Sequence, residues 1–149
     1  MKYVARRPIE GLRDEAGIAA VEFAMVLPIL CAALLGIMDG WSYVTSSLSM
    51  RAGVKTAANM VMAGSTNDSA TQAAALASWE KAPSDAAVTI TRIYQCGTTV
   101  VTSTTLCAGP KAPSVYVQIQ ASGTWTPPFV FGVFPTNTAI GHQQVVRVR

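Results

Sequence analysis

Charged residues are scarce in this chain, and the residue sets on which most catalysis depends are missing. Only 13% of the 149 residues are charged, and there is a single histidine, His142. The sequence has no glycine-rich phosphate loop, no GxSxG or HExxH pattern and no CxxC pair. One histidine and two cysteines also fall short of a usual zinc site. The sequence therefore argues against an enzyme, and we expect neither a metal nor a cofactor.

The few charges also argue against a nucleic-acid partner. The formal net charge is +3, of which residues 1–17 carry +1 (four basic, three acidic) and the remainder +2 (seven basic, five acidic). No basic face large enough for nucleic acid can be built from so few cations. The carboxylates that follow Glu22 show no close pair for acid–base catalysis; they are Asp39, Asp68, Glu80 and Asp85.

One long apolar stretch dominates the N-terminal part. Residues 18–38 read IAAVEFAMVLPILCAALLGIM and are interrupted only by Glu22 and Pro28. At 1.5 Å per residue this stretch reaches about 31 Å, enough to cross the hydrocarbon core of a membrane. It is longer than the apolar core of a cleaved signal peptide, and no small-x-small site follows it. Leu30 before Cys31 also disfavours a lipoprotein signal. We therefore predict a membrane-spanning helix.

The flanking residues set its orientation. Four basic residues precede the stretch, and none follows until Arg51; the four are Lys2, Arg6, Arg7 and Arg13. This positive-inside bias predicts a cytoplasmic N-terminus and an exported C-terminal part. Trp41 and Tyr43 follow directly, where an interfacial aromatic belt would lie.

Glu22 is the anomaly in this stretch. A charged group in hydrocarbon costs on the order of 3 kcal/mol, so it usually has a partner or a task. If the chain were cut after Gly17, Ile18 would become the first residue and Glu22 the fifth. The new ammonium of one helix could then pair with the carboxylate of its neighbour. The alternative is a carboxylate near the cytoplasmic boundary of a plain anchor, reaching out to water.

The string GIAAVEFAMVLPILCAALLGIMDGW, which starts at Gly17, resembles the opening of TadE-like proteins. These are small pseudopilins of the Flp or tight-adherence branch of type IV pili, and they share an AAVEFA-x-x-LP core. The resemblance implies that a prepilin peptidase cuts between Gly17 and Ile18. It also gives Glu22, followed by the aromatic Phe23, the role of the assembly glutamate, and makes Pro28 the proline within the helix.

The resemblance implies a minor pilin or pseudopilin that supports assembly of a tight-adherence pilus for surface attachment. Its partners would be the inner membrane, the prepilin peptidase, other pilins and the assembly platform. The chain would divide into a cytoplasmic leader (1–17), a membrane and assembly helix (18–39) and a periplasmic domain (40–149). The alternative is a single-pass anchored binding module of the envelope without a filament role. A major pilin is disfavoured because Flp-type main pilins are much shorter.

Beyond the membrane the helix is predicted to continue to about Ala63, with a kink or local melting at Pro28. One apolar stripe is expected to face the core, formed by Trp41, Val44, Leu48, Val54, Ala57 or Ala58, and Val61. Gly36 and Gly40 form a small-xxx-small pair that could admit another helix. Gly64 should end the first helix, and a second helix is expected from Asp68 to Lys81.

Alternating residues then predict strands at 88–94 and 115–120, and a last strand from Thr138 to Arg149. The expected fold is α+β, a long helix on a small antiparallel sheet. We expect Trp79 to lie in the core. The aromatic, proline-rich segment from Trp125 to Pro135 is either a buried irregular loop, the favoured interpretation, or a partner-binding patch.

Two of the three cysteines lie close together in a polar, threonine-rich stretch. Cys96 and Cys107 flank a segment that reads as a hairpin or loop, whereas Cys31 lies in the apolar run. If the domain is exported, a bridge between Cys96 and Cys107 could contribute about 3 kcal/mol to stability. The alternative is a pair of free thiols.

Overall fold

The computed structural model describes residues 15–129 and 134–148. The predicted orientation depends on the basic residues of the leader, which lie outside these ranges. Phe131, in the aromatic segment from Trp125 to Pro135, also lies outside them. The elements are α1 (Glu15–Met62), α2 (Asp68–Ala77), β1 (Ala87–Cys96), β2 (Thr99–Val101), β3 (Ser114–Trp125) and β4 (Thr138–Arg147). One long helix with a small antiparallel sheet confirms the predicted α+β class.

Helix α1 has two halves with different surroundings. Its 48 residues extend over about 72 Å at 1.5 Å per residue. No other described part of the chain covers the apolar N-terminal half. The C-terminal half packs against α2 and the sheet. The residues of this half that enter the core are Met50, Val54, Ala57, Ala58 and Val61.

The predicted core stripe of α1 is wrong in its first half. Trp41, Val44 and Leu48 are exposed, although they were expected to face the core with Val54. The six-residue step from Leu48 to Val54 turns the helix by about 600°, which leaves the two side chains roughly 120° apart. The two groups therefore belong to different faces of α1.

The prediction of local melting at Pro28 is also wrong. Pro28 lies inside α1, and the helix continues without interruption on both sides of it. The other part of the prediction, a kink at Pro28, stays a prediction.

A tight turn separates the two helices, as predicted. Gly64 has φ +95°, a left-handed conformation that ends α1. Asn67 caps α2, because its side-chain oxygen accepts a hydrogen bond from the Ala70 N–H at 3.0 Å. Helix α2 ends at Ala77 and not at Lys81, since Lys81 has φ +55° and cannot continue a helix. Trp79 turns into the core, as expected.

Helix α1 and helix α2 approach each other closely at a glycine. A Cβ added to Gly53 would lie 2.6 Å from the carbonyl oxygen of Ala75, so no larger residue fits without a shift.

An ion pair fixes α2 to the sheet: the Arg92 guanidinium donates to both carboxylate oxygens of Asp68, at 2.6 and 3.2 Å. This carboxylate raises the pKa of Arg92 above its ordinary value.

The sheet has the order β2-β1-β3-β4, and all neighbours are antiparallel. The short strand β2 confirms the predicted hairpin after β1. Alternate side chains of β1, β3 and β4 face α1 and α2; the buried ones include Val88, Val117, Ile119, Ala121, Ile140 and Val146. Strand β3 runs from the far end of the domain back towards the exposed half of α1. Its last residue, Trp125, therefore lies near the point where α1 leaves the domain.

Candidate functional site

The first candidate site is the uncovered half of α1. In the part of the chain that the structure describes, one helix is long and apolar enough to cross a membrane, with a mean hydropathy of 2.4. Its most apolar window is completely uncovered by the rest of the chain. Such a surface is stable in lipid or against other apolar helices and unstable in water. By length and composition, this helix suggests a single-pass anchor.

The predicted processing and assembly residues all lie on this uncovered half. No heavy atom outside the helix lies within 4 Å of a Cβ built on Gly17, and Ile18 and Phe23 are exposed. Glu22 is exposed, and no described residue forms a hydrogen bond or ion pair with it. Among the described residues, no other element lies against these side chains, which leaves them open to a partner.

The second candidate site is a collar where α1 leaves the domain. Asp39 is only 2% exposed, and its carboxylate accepts a hydrogen bond from the Phe129 N–H at 3.0 Å. Three residues later, Ser42 accepts a bond from the Trp125 indole N–H at 3.3 Å. These bonds fix the segment after β3 to the end of the membrane helix. The collar therefore holds the domain in a defined position relative to the apolar half of α1.

Aromatic rings complete the collar. The Tyr43 and Trp125 ring centroids are 5.3 Å apart and nearly perpendicular, and the Trp125 and Phe134 centroids are 6.1 Å apart in the same arrangement. Such edge-to-face pairs contribute about 0.5–1.5 kcal/mol beyond the area they bury. The described part of the segment from Trp125 to Pro135 is only partly buried. Trp125 and Pro127 are buried and Phe129 and Phe134 half-buried, whereas Thr126, Pro128 and Pro135 are exposed.

Sequence reasoning missed the role of Asp39. In the sequence, Asp39 stands out only as one of the carboxylates without a close pair. A signal was available, because a carboxylate that directly follows a membrane segment must either reach water or find a donor. Its donor is a backbone N–H that is 90 residues away in sequence, so no local pattern could identify it.

The collar gives a prediction for the fold. We expect Asp39→Ala to lower the free energy of unfolding by about 1–3 kcal/mol, because the buried end of α1 loses its hydrogen bond to the half-buried Phe129 N–H. Asp39→Asn, which keeps an acceptor oxygen, should lose less. The measurement is denaturant unfolding of the full chain in lipid nanodiscs.

Asp85 offers a matched control for this measurement. Its exposed carboxylate also accepts a backbone bond, from the Thr124 N–H at 3.0 Å. Hydrogen bonds from the Thr124 side chain and backbone lower the pKa of Asp85 below its ordinary value. We expect Asp85→Ala to leave the denaturant midpoint of unfolding nearly unchanged, since water replaces the lost partner. Equal losses for both variants would contradict a special role for Asp39.

An open groove lies beside the collar. Its volume is about 850 Å³, and its lining is polar and apolar in similar parts and includes Trp41, Ser49, Glu80 and Asp85. Ser49 donates a hydrogen bond to the Glu80 carbonyl at 3.1 Å, which holds one wall. His142 lies outside this groove, in β4. Among the described residues, no group of three or more His, Cys, Asp or Glu could hold a metal ion.

The two domain cysteines lie at the opposite end of the domain. Cys96 ends β1, and its Cα atom is 5.5 Å from that of Cys107, to which it is joined as a disulfide. The bridge ties the β1–β2 hairpin to the loop before β3. Cys31 is exposed on the apolar half of α1 and is free.

Comparison with known proteins places a family signature on α1. Residues 17–59 match the model of the TadE-like protein family. No curated protein and no solved structure matches the chain. The matched segment includes the uncovered half of α1, the collar residue Asp39 and the first core residues, and it excludes the sheet. Over residues 17–59 this chain is therefore similar to TadE-like proteins, as its sequence predicted.

Proposed function

We propose that this protein is a minor pilin or pseudopilin that supports assembly of a tight-adherence pilus used for surface attachment. Residues 18–39 span the inner membrane, and residues 40–149 form a periplasmic domain. The leader, residues 1–17, is removed by a prepilin peptidase between Gly17 and Ile18. The observation that carries this proposal is an uncovered apolar helix, with one unpaired carboxylate, inside the segment that matches the TadE-like family.

The carboxylate of Glu22 supports an assembly role. Cleavage before Ile18 creates an ammonium four residues upstream, about 6 Å along the helix axis. In lipid each charge is stabilised by an opposite charge from a neighbouring helix, which aligns the two subunits in the membrane plane. Phe23 beside it is exposed and adds an apolar contact to the same neighbour.

The partners follow from this role. They are the inner membrane, the prepilin peptidase, other pilins or pseudopilins and the pilus assembly platform. The TadE-like family is not known for an enzymatic activity. We propose that the protein acts through contacts and catalyses no reaction.

Deleting the gene in the native host tests the proposal. We expect the deletion to reduce both sheared pili and surface attachment, and the wild-type gene to restore both. Loss of attachment with normal piliation would contradict the proposal and favour an anchored envelope binding module. Abundance of the protein in sheared filaments at the level of the repeating subunit would contradict its assignment as a minor component.

A further inference from the structure

The groove beside the collar opens where α1 leaves the domain. One wall is α1 from Trp41 to Ser49, and the opposite wall is the turn from Glu80 to Asp85 that follows α2. The end of β3 also contributes to the lining. The volume of about 850 Å³ lies within the usual range of small-molecule sites, about 300–1,000 Å³. The groove is therefore large enough for a ligand of more than one ring.

The lining combines an exposed indole with many hydroxyl groups. Trp41 is 71% exposed and lies at the end of the groove nearest the apolar half of α1. Seven of the fourteen lining residues are serine or threonine. A sugar ring has an apolar C–H face that an indole can cover, and a hydroxyl edge that hydroxyl and carboxylate groups can bind. This lining therefore fits a carbohydrate better than a wholly apolar ligand.

Two carboxylates supply the strongest acceptors of the groove. Asp85 accepts a hydrogen bond from the Thr124 N–H at 3.0 Å, and since an ionised carboxylate has about four acceptor positions, others stay open to a ligand. Glu80 is exposed, and no described residue pairs with its carboxylate. Hydrogen bonds to ionised groups are roughly twice as strong as those between neutral groups. These two side chains therefore decide which ligand is bound.

The charges of the groove disfavour an anionic ligand. Among the described lining residues, two carboxylates face a single cation, Lys81, and no arginine is present. A phosphate or sulfate group would meet a net negative charge there. Lys81 itself has φ +55°, and such strained non-glycine positions are frequent at binding sites. The turn at Lys81 places Glu80 and Asp85 on the same wall.

The position of the groove indicates the source of its ligand. Trp41 lies two residues beyond Asp39, about 3 Å further along the helix axis, whereas Ser49 lies about 15 Å beyond Asp39. The headgroup region adds only about 5–8 Å to each side of the hydrocarbon core of a membrane. With the membrane boundary at Asp39, the groove begins within the headgroup layer and ends above it.

The two carboxylates lie towards opposite ends of the groove. Asp85 is bonded to Thr124 at the collar end, whereas the Glu80 carbonyl is bonded to Ser49 at the other end. Ser42 of the collar and Ser49 are seven residues apart, about 10 Å along the axis of α1. An ethanolamine or choline headgroup carries one cation and reaches the collar end alone. A headgroup of two sugar rings reaches both ends.

We infer that the groove binds the neutral carbohydrate headgroup of a membrane glycolipid, with a sugar ring on Trp41 and sugar hydroxyls bonded to Asp85 and Glu80. Only the position of the membrane at Asp39 rests on the proposed function. Binding of a glycolipid needs neither leader cleavage nor a pilus, so the two can fail separately.

Lipid selection tests the groove. The full chain is placed in nanodiscs with equal shares of phosphatidylcholine, phosphatidylethanolamine and diglucosyl diacylglycerol, and native mass spectrometry identifies the lipids retained after release into detergent. We expect at least about tenfold more glycolipid than either phospholipid, because only its hydroxyls reach both carboxylates. Equal retention of the three lipids would overturn the inference. A preference for phosphatidylethanolamine would assign the groove to an ammonium group and overturn it as well.

A soluble competitor separates lipid-linked sugar from free sugar. The free diglucose of the same linkage is added at the concentration of the glycolipid. We expect the glycolipid to stay bound, because the membrane holds it at a high effective concentration beside the groove. Displacement of the glycolipid would assign the groove to soluble glycans and overturn its lipid source.

Variants test whether the groove is the site. Glu80→Gln with Asp85→Asn should lower glycolipid retention about tenfold. Trp41→Leu should also lower it, whereas Trp41→Phe, which keeps an aromatic ring, should retain most of it. Gln143→Ala, at an exposed position of β4 outside the groove, is the control and should bind as the wild type does. An unchanged denaturant midpoint shows that each variant folds.

Wild-type retention by both the double variant and the Trp41→Leu protein would overturn the groove as the binding site. The N-terminal residue of native-host protein is determined alongside. A start at Ile18 without glycolipid retention would reject the glycolipid site and leave the proposed function intact. Retention with an uncut N-terminus would do the reverse.

Discussion

Replacing Glu22 with alanine is expected to leave leader cleavage intact while removing the protein from assembled pili. Within the described part of the chain Glu22 has no partner, and it lies four residues after the proposed new N-terminus. The ion pair with a neighbouring helix offsets a membrane cost of on the order of 3 kcal/mol. Without the carboxylate the neighbour's ammonium is left unpaired, and we expect at least about a tenfold loss from the sheared-pilus fraction, the equivalent of ~1.4 kcal/mol.

Two further substitutions separate charge from bulk in this experiment. Glu22→Gln keeps the size and the hydrogen-bonding capacity but removes the charge, so it should behave like alanine. Met25→Ala trims an exposed apolar side chain one turn away and should assemble normally. Normal piliation by the Glu22→Ala protein would refute the assembly role, and failure of all three variants would point to general damage of the helix.

Removing the bridge between Cys96 and Cys107 is expected to have the largest effect on domain stability. A disulfide restricts the unfolded chain, and for a loop this short the chain-entropy model gives roughly 2–4 kcal/mol. The double variant Cys96→Ser with Cys107→Ser should therefore unfold at clearly lower denaturant concentration than the wild type. The collar contacts of the folded domain should be unchanged, because the bridge lies at the end of the sheet opposite the collar.

Cys31 supplies the matched control for the bridge. Cys31→Ser also replaces a cysteine, but this thiol is free and exposed on the apolar half of α1. It should leave the unfolding of the domain unchanged. Non-reducing mass mapping of the protein recovered from its native host should find Cys96 and Cys107 in one linked peptide. Finding both thiols open to alkylation would show that they are free.

The local features of this fold could be predicted from the sequence, because their causes are local. The length of α1, the Gly64 stop, the Asn67 cap and the alternation in β1, β3 and β4 each depend on residues within a few positions. The apolar run and the Gly17 to Glu22 spacing are local as well. The family resemblance lies in the same part of the chain.

The features that sequence reasoning missed depend on distant contacts. The burial of Asp39 needs the Phe129 N–H, and the assignment of Trp41, Val44 and Leu48 to the exposed side needs the position of the sheet on α1. Apolar residues at helical spacing were read as one stripe, although α1 carries two stripes on different faces. One covers the core of the domain. The other, which contains Trp41, Val44 and Leu48, is exposed.

The N-terminal residue of the protein recovered from native membranes and sheared pili tests the central claim most directly. Cleavage by a prepilin peptidase between Gly17 and Ile18 predicts a start at Ile18 in both fractions. A start at Met1 or Lys2, in cells with an active prepilin peptidase, would contradict this account and leave a plain membrane anchor.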